Sequence, residues 1–72
     1  MYYYESPIGL FRIIQQDSNV LLFFEDDLLG AYRSAVAAAN DVYTHTTGLY
    51  DWDKLDGKLL DVPTDISEWT LS

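Results

Sequence analysis

Three closely spaced aspartates, Asp51, Asp53 and Asp56, are followed by Gly57 and are the residues of this sequence that come nearest to a metal-binding motif. A calcium-binding EF-hand loop needs oxygen ligands at positions 1, 3 and 5, glycine at position 6 and glutamate at position 12. Counting from Asp51, the fifth position is Leu55, the sixth is an aspartate and the twelfth is a valine. Because the spacing does not fit, we predict a solvated acidic turn and no specific calcium or zinc site.

His45 is the only histidine, and the chain contains no cysteine. Disulfides, thiolate metal sites and cysteine nucleophiles are therefore excluded. A serine hydrolase needs a nucleophile and oxyanion donors around its histidine, but Ser34 falls at the far end of the predicted helix and no glycine-flanked serine elbow occurs. His45 follows Asp41 by four residues, and such a pair is favourable near a helix C-terminus. We predict a structural Asp41–His45 pair.

The other residues that could carry chemistry also point away from catalysis. Glu25, Asp26 and Asp27 are consecutive and separate two predicted strands, which is typical of a solvated turn. The sequence has no glycine-rich phosphate loop, no basic patch and no set of histidines at metal-binding spacing. We predict no catalytic residue, no cofactor and no enzymatic activity.

The charge balance bears on the choice of partner. Twelve acidic residues against four basic ones give a formal net charge of −8. Such a protein repels nucleic-acid phosphates and anionic membranes, so we expect neither direct nucleic-acid binding nor membrane binding. The hydrophobic share of 49% excludes a disordered acidic tail. The N-terminal residues lack a signal-peptide pattern, and a cytoplasmic protein is the expectation.

A sheet is predicted over the first half of the chain. β-prone runs at residues 2–4, 10–15, 20–24 and 28–32 are separated by short turns. Connections this short favour antiparallel neighbours, because parallel strands need a longer crossover. We predict a small antiparallel meander of three to four strands, within one α+β domain that spans residues 1–72.

One helix should pack on this sheet. Ser34 is a good N-cap for a helix from residue 35 to about residue 46, and Gly48 suits the position after its end. Its buried face is predicted to contain Ala38, Ala39 and Val42. From Leu49 onward the periodicity fades, which predicts an irregular C-terminal strap with one helical turn near residues 66–69.

Both alternating sets of side chains are apolar in residues 20–24, and nearly so in residues 10–14. A sheet with one face in water would instead alternate apolar and polar residues. One helix covers one face only, so the second face must be covered by the C-terminal strap or by a second copy of the chain. The candidate interface residues are Tyr3, Leu22, Phe23 and Trp52.

Two resemblances to known families arise from short motifs. Residues 4–10, YESPIGL, look like the opening strand of methylated-DNA–protein cysteine methyltransferases, but the acceptor cysteine of that family has no counterpart here. The second resemblance is to a group of small uncharacterised bacterial proteins, and it implies a self-contained bacterial domain. It is carried, in order, by the segments SPIG at 6–9, LGAYRS at 29–34, AANDVY at 38–43, TG at 47–48, WD at 52–53 and PTD at 63–65.

These observations favour a non-enzymatic interaction domain that forms a homodimer or binds another protein. The alternative is an acidic mimic of nucleic acid that inhibits a DNA-binding protein. In a mimic, the carboxylates would stand in for phosphates and line one continuous face.

Overall fold

The computed structural model describes all 72 residues and contains one five-stranded antiparallel sheet. The strands are β1 Tyr2–Ser6, β2 Gly9–Gln16, β3 Asn19–Phe24, β4 Asp27–Tyr32 and β5 Thr70–Leu71. Their order across the sheet is β4-β3-β2-β1-β5, so the first four form a meander, as predicted. The two-residue β5 pairs with the start of β1 and lies in the segment that was expected to be irregular apart from one helical turn.

The main helix, α1 (Ala35–Tyr43), packs on this sheet and confirms the α+β prediction. Its N-cap is Ser34, whose Oγ accepts a hydrogen bond of 3.1 Å from the Ala37 amide. Ala38, Ala39 and Val42 are buried, which is the predicted face. The helix ends earlier than predicted because the chain reverses at His45, where φ is 57°. His45 thus takes the left-handed position expected for Gly48.

Two short helical segments follow α1. The four-residue helix α2, Tyr50–Asp53, was not predicted, whereas the 3₁₀ turn Ile66–Glu68 agrees with the predicted helical turn. Asp65 caps this turn through the Ile66 amide, and Glu68 accepts from the amide and hydroxyl of Thr64. No helix in the structure has both the length and the apolarity needed to cross a membrane.

The core lies on one face of the sheet, between the strands, α1 and the C-terminal segment. Trp52 is fully buried there, and its ring centroid lies 4.9 Å from that of Phe11. The ring centroids of Trp69 and Tyr4 are 5.6 Å apart. The C-terminal segment therefore covers the same face as the helix, which excludes it as the cover for the second face. The core residues are Phe11, Ile13, Val20, Leu22, Ala38, Ala39, Val42, Trp52 and Trp69.

Two local features fix the strands relative to one another. In the turn between β3 and β4, Glu25 has a φ of 52°, its carboxylate accepts from the Leu10 amide, and its carbonyl accepts from Arg12 at 2.9 Å. In β4, Gly30 lies opposite Leu22 but Leu28 lies opposite Phe23. Leu29 is thus the extra residue of a β-bulge.

Candidate functional site

Alternate residues of β1 to β4 point away from the core and form a second, largely apolar face, here called the outer face. The strand pairing defines it, because residues directly opposite each other on neighbouring strands share a face. Arg12, for example, pairs with Tyr3 on one side and Phe23 on the other. The outer face consists of Tyr3, Glu5, Leu10, Arg12, Ile14, Gln16, Asn19, Leu21, Phe23, Leu28 and Ala31.

No other segment of the chain lies over the outer face. None of its residues belongs to the core or packs against it, and Leu28 is 57% exposed. The apolar residues of the C-terminal segment are either in the core, packed against it, or open to solvent, as Leu60 is at 97% exposure.

The outer face contains one positive and one negative side chain. The Arg12 guanidinium lies 5.4 Å from the ring centroid of Phe23. Glu5 is exposed and forms neither a hydrogen bond through its carboxylate nor an ion pair. The other eleven carboxylates lie outside this face. The outer face is therefore close to neutral in a chain with a net charge of −8.

The four predicted interface residues divide between the two faces. Tyr3 and Phe23 lie on the outer face, but Leu22 and Trp52 have no exposed surface and belong to the core. Leu22 lies opposite the core residue Ile13 on the face that the helix covers, and Trp52 belongs to α2. We therefore correct the predicted interface by removing Leu22 and Trp52. The strand alternation itself identifies the residues that were missed, which are Leu10, Ile14, Leu21, Leu28 and Ala31.

The predicted Asp41–His45 pair is wrong. Asp41 accepts a hydrogen bond of 2.8 Å from the Tyr32 hydroxyl, and the pKa of Tyr32 is raised first by burial and then by this bond. His45 instead donates from Nδ1 to the carbonyl of Trp52 at 2.9 Å and stacks on its indole, with ring centroids 4.5 Å apart. His45 has a left-handed backbone, with a φ of 57°, and its ring contacts Trp52 of α2.

The three aspartates near α2 have separate surroundings. Asp53 accepts from the Thr47 amide and hydroxyl through one oxygen and from the Gly48 amide through the other, at 2.8–3.0 Å. Asp51 lies 3.8 Å from Lys54. The structure contains no group of three histidine, cysteine, aspartate or glutamate residues placed to hold a metal ion. Asp53 is thus a loop anchor in this structure.

We expect Asp53→Asn to lower the free energy of unfolding by about 1–2 kcal/mol. The NH₂ group of the asparagine is a hydrogen-bond donor, and it would lie against a backbone N–H that is also a donor. The loss should be measured by urea denaturation. Asp56→Asn is the matched control, since the Asp56 side chain is exposed and forms no hydrogen bond or ion pair. Equal stabilities of the two variants would contradict the anchoring role.

Comparison with known proteins gives no match, since no family model, curated protein or solved structure is significantly similar to this chain.

Proposed function

We propose that the protein is a non-enzymatic interaction domain and that two copies associate through their outer faces. The observation that supports this is the apolar outer face itself, which no segment of the chain covers. A contiguous apolar patch of a few hundred Å² on a protein surface is often functional. The proposal also keeps the expectation of a bacterial, cytoplasmic protein.

The charges support a second copy as the occupant of this face. Two chains that each carry −8 repel each other over most of their surfaces, but the outer face is nearly neutral. In a twofold contact, each copy presents the same patch to the other. Arg12 of one copy can then lie against Glu5 of the other, twice over, and this would give each Glu5 a cationic partner.

The sheet edges are less suited to association. β4 begins at Asp27 and contains the bulge at Leu29, and β5 is only two residues long. Bulges, charges and short edge strands are features that hinder pairing between sheets. We therefore propose contact between faces and not between edges.

The size of the outer face sets the expected affinity. Four strands about 4.8 Å apart, with about six residues each rising 3.3 Å, cover roughly 400 Å². Two such faces would bury roughly 800 Å², which is below the ~1,600 Å² of a standard stable interface. The expected dimer is a weak one, with a dissociation constant in the micromolar range or above.

Nucleic-acid mimicry is the weaker alternative, because many of the carboxylates form contacts within the chain. Asp51 forms an ion pair with Lys54. Five more accept hydrogen bonds that hold turns and loops, so half of the twelve serve the fold. These five are Glu25, Asp41, Asp53, Asp65 and Glu68.

We expect Phe23→Glu to be monomeric at concentrations where the wild-type protein dimerises, because two added carboxylates would meet at the interface. Leu60→Glu is the matched control, since it adds the same charge at a residue that is 97% exposed and outside the outer face. Sedimentation velocity from about 1 to about 500 μM brackets the expected affinity. The proposal fails if the wild-type protein stays monomeric throughout, or if the two variants associate equally.

The pairing of Arg12 with Glu5 has its own test. Arg12→Glu alone should weaken the dimer, because it places two like charges together. Adding Glu5→Arg should restore the affinity to within a few fold of wild type, since the charges are merely exchanged. A double variant that associates no better than Arg12→Glu would rule out this contact.

A further inference from the structure

A cavity of about 430 Å³ opens at the C-terminal end of α1, on the side of the sheet away from the outer face. Its lining includes the polar residues His45 and Asp56 and the hydrophobic residues Tyr43, Leu59 and Val62. The Asp56 carboxylate has no partner within the chain. The cavity is thus lined by hydrophobic residues and by an acidic residue that has no partner in the chain.

His45 is held in a single orientation at this cavity. The residue is 8% exposed, its ring stacks on Trp52, and its Nδ1 donates to the Trp52 carbonyl. In the neutral imidazole the proton therefore sits on Nδ1, and Nε2 is a hydrogen-bond acceptor. His45 Nε2 has no hydrogen-bond partner in the chain. It is nevertheless not a fully buried atom, because the one buried side-chain polar atom without a partner is Trp69 Nε1. Nε2 consequently reaches solvent, and the only cavity that His45 lines is this one.

We propose that this cavity binds a small primary amine that carries an apolar group. The ammonium would donate to the Asp56 carboxylate and to His45 Nε2, both of which accept hydrogen bonds. The apolar group would lie against Leu59, Val62 and the Tyr43 ring. The net charge of −8 also raises the local concentration of small cations. This site does not depend on dimerisation.

Benzylamine is a suitable probe, and the histidine ring gives an unambiguous signal because His45 is the only one. The ring nitrogen resonances of the ¹⁵N-labelled protein should be followed while benzylamine is added at constant pH. We expect a saturable shift of Nε2 with a dissociation constant of about 1 mM, typical of so small a ligand. Benzyl alcohol, which lacks the charge, should bind about tenfold more weakly.

Two variants separate specific binding from general attraction to an acidic protein. Asp56→Asn should reduce the affinity for benzylamine about tenfold, to that of benzyl alcohol. Asp17→Asn removes the same charge in the β2–β3 turn, where φ is 53° and asparagine is tolerated, and should leave the affinity unchanged. The proposal is overturned if no saturable shift occurs by about 20 mM, or if the two variants weaken binding equally.

Discussion

Ala39→Asp is expected to unfold the domain. Ala39 is 1% exposed and lies on the face of α1 that packs against the sheet. No cationic side chain is buried there to pair with a new carboxylate. Burying an unpaired carboxylate costs several kcal/mol, whereas a domain of this size has roughly 3–5 kcal/mol of stability in total. Circular dichroism in the near and far ultraviolet should show the loss of both tertiary and secondary structure.

Asn40→Asp provides the matched control, because Asn40 is exposed on the same helix and the change adds the same group. Its stability should stay within about 1 kcal/mol of wild type, as expected for a surface substitution. A cooperatively folded Ala39→Asp protein of similar stability would show that the helix packs on the sheet through a different face.

The two tryptophans should respond differently to replacement by phenylalanine. Trp52 has no exposed surface, and its Nε1 donates to the Val42 carbonyl at 2.9 Å. Trp52→Phe would leave a cavity and a buried carbonyl that has lost this donor, and should cost about 2–4 kcal/mol. Trp69 is also buried, but its Nε1 has no partner. Trp69→Phe removes an unsatisfied donor along with the lost volume, and should cost about 1 kcal/mol.

Urea denaturation of both variants measures this difference directly, and each serves as the control for the other. A loss of stability that is equal in the two variants would mean that the Trp52–Val42 hydrogen bond contributes nothing beyond packing. A larger loss for Trp69→Phe would mean that its indole N–H has a partner in solution.

The sheet and the helix were predictable because their signals are local. Ser34 marks the helix start, and short turns separate runs of β-prone residues, so neither prediction required knowledge of distant contacts. The two apolar sets in residues 20–24 also indicated two faces that need cover. The end of α1 was misplaced because His45, which is not a glycine, adopts the left-handed conformation, and its contact with Trp52 stabilises it there.

The C-terminal half was less predictable because its structure depends on distant partners. β5 is too short to show any alternation and exists through its pairing with Tyr2 and Tyr3, at the opposite end of the chain. The side of the sheet taken by Trp52 follows from its packing on Phe11, about forty residues earlier. The outer face could be listed from alternation once Leu22 was known to point inward, but no local signal chooses between Leu22 and Phe23.

That ambiguity has a consequence for strand slippage. In most sheets a shift of one residue would expose the apolar side chains and bury polar ones, and this penalty selects the native alignment. In β3 the penalty is small, because either set of side chains could fill the core. The alignment must be enforced at the turn instead, where Glu25 holds both Leu10 and Arg12. This one acidic residue therefore helps to decide which of two apolar surfaces becomes the inside of the protein.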